Sequence, residues 1–461
     1  MADDRDDDRD PHRDDDRDPH RDDDELRDML SQFLSGNGAS IDPSRLAGAA
    51  GLPNDPASIQ ALLGQLQNAL MNPGGGINWD IAQQQARQLA SDGGHAVTPA
   101  ERASLDQAFH VAALWLDQAT GVAELNSTPE LIGRAEWARQ TMPLWTQLAE
   151  PVALSISDAL TRVLSEQAPE EMQAMLQNAG QVMRSIGGAL FAMQLGQVVG
   201  QLSKEVVSGG DIGIPLLPDG QAALIPQNVE GFGEGLDIPA DQIQLYLAVR
   251  ELAHARLFRH AKWLRLQLIT QITAFAKGIT IDTDALESLA ENFDPSNPEE
   301  LRDAMVSGRL IPPRTEEQQE ALARLETVLA LVEGWVDVVT ANATRLLPRA
   351  DAIAETVRRR RASGGPAESA FATLVGLELR PRRLRDAAAM WQAVTDAVGM
   401  DARDGLWSHP DLLPQSSDLD DPSALVARLT AAATGQEPEQ DELDQAIEDL
   451  LRDDRDRPTE D

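Results

Sequence analysis

The sequence predicts a mainly α-helical fold with one small β-hairpin and disordered acidic ends. Most segments between the two ends repeat their apolar residues with the 3.6-residue period of an amphipathic helix. Only 214–225 has the character of β-structure, because Asp219-Gly220 lies between two short apolar runs, which is a hairpin signal. Pro215 and Pro218 restrict those strands to edge positions.

The helices are delimited by local signals at their ends. Several begin with a proline in the first turn or follow an Asp, Ser or Thr that caps the helix, as helix starts tend to do. The predicted helices are Glu25–Leu34, Ser58–Met71, Ile81–Ala90, Pro99–Leu116, Pro129–Ala149, Val152–Ser165, Pro169–Ser203, Pro239–Lys277, Pro298–Val306, Glu316–Ala343, Ala350–Arg360 and Pro381–Val398.

Charge and glycine content divide the chain into four regions. Residues 1–24 carry an eight-residue tandem repeat, Arg-Asp-Asp-Asp-Arg-Asp-Pro-His, without an apolar face, and this composition predicts a disordered acidic tail. Residues 25–95 form a helical N-terminal region with loops. The main helical domain spans 96–430, with a hinge or hairpin at 208–235. An acidic tail with one short helix follows at 431–461.

The composition of the chain argues against several classes of partner and of catalytic site. The formal net charge of −37 argues against nucleic acid or an anionic membrane as the main partner, since phosphate binding needs clustered Lys and Arg. The absence of Cys excludes disulfides, thiolate metal sites and a Cys nucleophile, and it fits a reducing cytoplasm. The apolar run 186–202 contains three Gln, which a membrane span would avoid. We therefore expect a cytoplasmic protein without a membrane span, whose partner is an unidentified protein or peptide.

The segment Arg250-Glu251-Leu-Ala-His254 differs by one residue from a zinc-protease motif. In His-Glu-x-x-His, two histidines one helical turn apart bind Zn²⁺ and the Glu acts as general base. Arg250 replaces the first His, and a guanidinium has no lone pair to offer a metal. His260 has the spacing of a third ligand, but a helix continuing beyond it would turn its side chain away from His254.

Two other catalytic arrangements find little support in the sequence. A di-metal carboxylate bundle uses paired Glu-x-x-His turns, and this sequence contains one such turn. A Ser-His-Asp hydrolase of the α/β type would display its Ser in a Gly-x-Ser-x-Gly elbow, which the sequence lacks.

Several stretches resemble the actinobacterial zincin-like metallopeptidase family, whose members are labelled hydrolases. The resemblance covers roughly residues 100–425, and the stretches that carry it are 196–202 with 211–216, 245–264, Leu-Val-Glu-Gly-Trp-Val-Asp at 331–337, 376–386 and 406–413. Members with an intact motif have His-Glu-x-x-His and, downstream, Glu-Gly-His. The resemblance therefore implies a zincin-like helical domain with Glu251 as base, His254 as metal ligand and Glu333 as a possible ligand. This chain carries Arg250 and Trp335 where such members carry His.

Two functional hypotheses follow. In the first, Arg250, Glu251, His254 and Glu333 form a buried polar network without a cofactor, and the chain is a catalytically impaired pseudoenzyme that serves as a binding or scaffold protein. In the second, His254, Glu251 and Glu333 hold zinc in an altered geometry, and the chain is an active metal-dependent peptidase. The two hypotheses differ in whether the purified protein contains metal.

Overall fold

The computed structural model describes residues 77–94, 97–166, 188–189, 191–278, 314–363 and 383–434, with backbone only at 156–166 and 362–363. The predicted acidic tails, 1–24 and 431–461, lie wholly or largely outside this range. So do the predicted helices Glu25–Leu34, Ser58–Met71 and Pro298–Val306, and most of Pro169–Ser203.

The described part of the chain is mainly helical, as predicted. In chain order its helices are α1 (Asp80–Ser91), α2 (Pro99–Leu116), α3 (Arg134–Glu166), α4 (Pro226–Gly233), α5 (Ala240–His260), α6 (Trp263–Lys277), α7 (Glu316–Ala343), α8 (Ala350–Ser363), α9 (Leu384–Gly405), α10 (Ser416–Asp420) and α11 (Pro422–Thr434). Residues 191–202 are also helical, and Pro410–Leu412 form one turn of 3₁₀-helix.

Reciprocal caps fix the starts of α2 and α7. The Thr98 hydroxyl accepts from the Glu101 amide at 3.2 Å, and the Glu101 carboxylate accepts from the Thr98 amide at 2.7 Å. Thr315 and Gln318 repeat the arrangement at α7, at 3.2 and 3.0 Å. Each pair satisfies two backbone donors that a helix start leaves free. The predicted bounds of both helices are confirmed, and the caps account for their starts.

Several predicted helix boundaries are wrong. The predicted helix Pro129–Ala149 begins only at Arg134, because Glu130–Leu131 form a strand. Helix α3 runs continuously through Pro143 and Pro151, where the sequence indicated two helices. Conversely, the predicted helix Pro239–Lys277 is two helices, because Ala261 leaves the helical region at φ −93° and ψ 64°. The apolar period continues across Ala261, so the pattern alone does not show the break.

The β-structure differs from the predicted hairpin. Strand β1 (Glu130–Leu131) pairs in parallel with β2 (Ala223–Leu224). On the other side of β2, Ser208 forms an antiparallel bridge with Leu224. The chain does turn at Asp219-Gly220, where Gly220 has φ +74°, but the flanking apolar runs do not pair with each other. The partners of β2 are distant segments that the local turn signal cannot identify.

Helices α5 and α7 lie at the centre of the core. Helix α5 packs against α2 and α7, and α7 packs against α5, α6 and α9. All residues of α5 from Tyr246 to Leu257 are buried, as are those of α7 from Val328 to Thr340. In a helix surrounded by protein, polar side chains must find their hydrogen-bond partners within the protein. Each charged residue in these two stretches therefore needs a partner inside the core. None of the described helices combines the length and apolar character of a membrane span.

Candidate functional site

Glu333 joins the two central helices. Its carboxylate accepts a hydrogen bond from Nη2 of Arg250 through Oε2, and Oε1 lies 2.9 Å from Nε2 of His254. Arg250 and His254 are one turn apart on α5, so both face the same stretch of α7. The four residues Arg250, His254, Glu333 and Arg361 are called the site cluster below.

Arg361, at the end of α8, is the member that sequence reasoning missed. Its Nη2 lies 3.3 Å from Oε1 of Glu333 and donates to the carbonyl of Ile212 at 2.8 Å. The preceding arginine, Arg360, lies 3.5 Å from Asp211. The run of four arginines at 358–361 was the available signal, but nothing local connects it to Glu333.

The loop 208–213 packs closely against the site cluster, and two glycines in the loop allow this close approach. A Cβ on Gly210 would lie 2.5 Å from Cβ of His254, and one on Gly213 would lie 2.5 Å from Oε1 of Glu333. Gly213 also has φ +82°, which favours glycine over residues with a side chain. This loop belongs to the region that the sequence indicated as a hinge or hairpin.

Glu251 is buried beside the site cluster but hydrogen-bonds elsewhere. Its Oε2 accepts from the amide of Gly210 and its Oε1 from the amide of Ala223, both at 2.8 Å. The carboxylate thereby fastens the loop 208–213 and strand β2 to α5. Burial raises the pKa of Glu251 to about 7, although hydrogen bonds from Ser208 and the two amides act in the opposite direction.

The charges of the site cluster are set by burial and by Glu333. Burial disfavours ionised Glu333, but Arg361 and Arg250 outweigh it and hold the pKa of the carboxyl below its ordinary range. Burial would lower the pKa of Arg250, and the charge of Glu333 raises it. Burial lowers the pKa of His254 despite Glu333. Nε2 of His254 lies 2.9 Å from Oε1 of Glu333 and Nδ1 lies 3.1 Å from the carbonyl of Arg250, and a neutral imidazole can donate to only one of these two acceptors.

This donor set does not fit zinc. A zinc site of the protease type has three protein ligands and a water. Nε2 of His254 and the carboxylate of Glu333 could ligate a metal, but they are hydrogen-bonded to each other. The cationic side chain of Arg250 also donates a hydrogen bond to Glu333. Among the residues that the structure describes, no three or more His, Asp or Glu side chains are grouped as metal ligands.

Trp335 and His260 lie apart from the site cluster. Two helical residues rotate a side chain by about 200°, so Trp335 faces away from Glu333. Its Nε1 donates to Oδ1 of Asp404 at 2.9 Å, and its ring meets that of Trp407 edge-on at 6.5 Å. His260 is the last residue of α5 and is exposed. The structure thus brings together Arg250, His254 and Glu333, with Glu251 beside them.

Comparison with known proteins gives the family. The model of the zincin-like metallopeptidase family matches residues 77–426, which is most of the chain. The chain belongs to this family. Arg250 and Glu333, which join α5 to α7, both lie within the matched residues.

One solved structure supports the fold. The crystal structure of "a putative hydrolase with a novel fold" from Chloroflexus aurantiacus is similar, with a TM-score of 0.52 and 18% identity over 77% of this chain and 98% of the other. No curated protein matches the chain.

Proposed function

We propose that this chain is a zinc-free member of the zincin-like metallopeptidase family and acts as a binding or scaffold protein rather than as a peptidase. The observation that carries the proposal is the position of Arg250. Its guanidinium donates to Glu333, the same carboxylate that is hydrogen-bonded to His254. The positive charge that a zinc ion would supply between α5 and α7 comes instead from a side chain.

The chemistry of Arg250 supports this proposal. A guanidinium stays protonated at any pH at which the protein is folded, and here Glu333 raises its pKa further. A dication placed beside it would be repelled, and Glu333 could bind that dication only by giving up its bonds to Arg250 and His254.

The hydrogen bonds of Glu251 also favour the proposal over the alternative. In an active metallopeptidase with His254, Glu251 and Glu333 as ligands, Glu251 would have to turn from Gly210 and Ala223 toward His254. That movement would leave two buried amides without acceptors, at a cost of about 1–3 kcal/mol each.

Metal analysis tests the proposal directly. Protein purified without a histidine tag should contain far less than one equivalent of zinc, and a chelator should leave its melting temperature and any peptide hydrolysis unchanged. Stoichiometric zinc, together with a chelator-induced fall in melting temperature, would establish the alternative instead.

A gain-of-binding variant tests the role of Arg250. Arg250→His would place an imidazole one turn from His254 and beside Glu333, which completes a three-ligand set, so we expect about one equivalent of bound zinc. Arg256→His is the matched control, because Arg256 is also buried on α5 but pairs with Asp117 at 2.6 Å. It should bind none. Because Trp335 faces away, adding Trp335→His to the first variant should change little. Equal zinc binding by both histidine variants would contradict the assignment.

A further inference from the structure

A small cleft lies beside Glu251. It has a volume of about 20 Å³ and lies between the segment 209–221 and the face of α5 that carries Glu251, Ala255 and Phe258. By this measure a cavity needs about 10–15 Å³ to hold one water molecule. The cleft therefore has room for one group the size of water, and its lining residues Pro218 and Asp219 are exposed to solvent.

The polar side-chain atoms that line the cleft are mainly acceptors. Glu251 contributes its carboxylate, and Asp219 a second one at the exposed end. Oε1 of Gln221 is buried and has no hydrogen-bond donor among the described residues, while Nε2 of the same amide donates to Glu130 at 3.1 Å. The remaining lining is apolar or glycine, so a group that binds here must donate hydrogen bonds.

The neighbouring cations are already engaged. Arg265 donates through Nη2 to the carbonyls of Pro215 and Leu217, at 3.1 and 2.9 Å. Arg259 donates to the carbonyl of Glu124. Neither residue lines the cleft. The carboxylate of Glu251 has four acceptor positions, so it can accept one further donor besides the Gly210 and Ala223 amides and the Ser208 side chain.

Size selects among the possible cationic donors. A guanidinium is much larger than a water molecule, whereas a primary ammonium group is similar to water in size and carries three donors. Its aliphatic stem could lie along Phe258 and Pro215, as the stems of lysine side chains lie along apolar surfaces elsewhere. We propose that this cleft binds a primary ammonium group on an aliphatic stem, from a lysine side chain or the N-terminus of a polypeptide partner. The proposal rests on the proposed function in one respect, namely that Glu251 does not serve a metal.

The test uses the full chain and n-butylammonium chloride as the probe. We expect a saturable rise in melting temperature that sodium chloride at equal ionic strength and n-butanol do not produce. Glu251→Gln and Gln221→Leu should each weaken the apparent affinity about tenfold or more, because each removes an acceptor of the ammonium group. Gln221 is only half-buried, so its variant should fold even where Glu251→Gln does not. Gln227→Leu is the control, because Gln227 bonds the carbonyl of Gly93 outside the cleft.

Two peptides distinguish the sources of the ammonium group. One has a blocked N-terminus and a single lysine, and the other has a free N-terminus and no lysine. Binding by either one that is lost on acetylating its amine would support the proposal and identify the source. Equal effects of n-butanol and n-butylammonium, or unchanged affinity in Gln221→Leu, would overturn it and leave a bound water only. Zinc content is measured on the same preparation, so a metal-containing protein would be recognised separately.

Discussion

Two buried ion clusters lie on different faces of α7, and they are built differently. The site cluster contacts α7 through Glu333. The second cluster, here the tryptophan cluster, comprises Trp335, Arg403, Asp404 and Trp407. Both place an arginine against a carboxylate inside the core, where an unpaired charge would cost several kcal/mol.

Hydrogen bonding separates the two clusters. Asp404 accepts from Arg403 and Trp335 through Oδ1, and from Thr120 and the Gly121 amide through Oδ2. Arg403 also donates to Thr395 and to the carbonyl of Ala119. All the polar side-chain atoms of this Arg–Asp pair are thus satisfied, whereas Nε1 of Trp407 in the same cluster has no acceptor within the described residues.

The site cluster is less complete. Two guanidiniums and the imidazole of His254 share the one carboxylate of Glu333, and Nε of both Arg250 and Arg361 has no acceptor within the described part of the chain. A buried ion pair that serves only packing needs a hydrogen-bond partner for each of its polar atoms, and the Arg403–Asp404 pair has them. An excess of positive charge around one carboxylate is what we expect where an arginine replaces a metal ligand.

The largest effect is expected from Arg250→Ala. This change leaves Glu333 buried with His254 and a single guanidinium, and it should lower the free energy of unfolding by about 3–5 kcal/mol in urea titrations. Arg324→Ala is the control. Its pair with Glu320 is exposed and should be worth at most about 1 kcal/mol. A loss below about 1 kcal/mol for Arg250→Ala would show that the pair does not hold α5 to α7.

Trp335 provides the corresponding test of the tryptophan cluster. Trp335→Ala removes a fully buried indole and should cost roughly 3–5 kcal/mol. Trp335→Phe keeps most of the ring but removes the donor to Asp404, so it should cost about 1–3 kcal/mol. Differential scanning calorimetry of both variants separates packing from hydrogen bonding. If Trp335→Phe did not change the free energy of unfolding, the hydrogen bond from Trp335 to Asp404 would contribute nothing to stability. The contrast between the two clusters would then weaken.

Glu251 should make stability depend on pH. Its pKa of about 7 in the fold exceeds the ordinary value, so the folded state binds the proton more tightly. The associated stability is complete below about pH 4.5 and is lost as the pH rises through 7, by roughly 3 kcal/mol in total. His254 acts in the opposite sense in part of this window because its pKa is lowered.

The measurement is therefore the difference between wild type and Glu251→Gln in urea unfolding from pH 5 to pH 8. Wild type should lose stability relative to the variant as the pH rises. Parallel profiles would mean that Glu251 titrates at its ordinary pKa.

The smallest effect compares two glycines with similar φ angles. Gly213 and Gly235 have φ of +82° and +74°, but a Cβ on Gly235 would meet nothing within 4 Å. Alanine at either position should cost about 1–2 kcal/mol through the left-handed backbone. Gly213→Ala should cost about 1 kcal/mol more, because its Cβ displaces Glu333. Equal losses in thermal unfolding would show that the loop can move away from the site cluster without penalty.

The features that the sequence predicted correctly are those that local signals determine. Capping residues at Thr98 and Thr315 gave the starts of α2 and α7. The spacing of Arg250 and His254 on one helix placed them on the same side. Glu333 came from the family resemblance, and the structure brings it to both residues.

The remaining features depend on tertiary contacts. Arg361 and the amides of Gly210 and Ala223 reach the site from distant segments, so no periodicity reveals them. Trp335 follows Glu333 by two residues, and its closeness in sequence suggested one site. The helical rotation between the two positions places them in different clusters.

The Arg250–Glu333 pair also determines what the protein needs from its surroundings. A metal ion that joins two helices must be acquired after synthesis and can be lost to a competitor. A guanidinium is part of the chain and cannot dissociate. Under the proposed function, the Arg250–Glu333 pair joins α5 to α7 at this point without a metal ion, and the junction would not depend on the supply of transition metals in the cell.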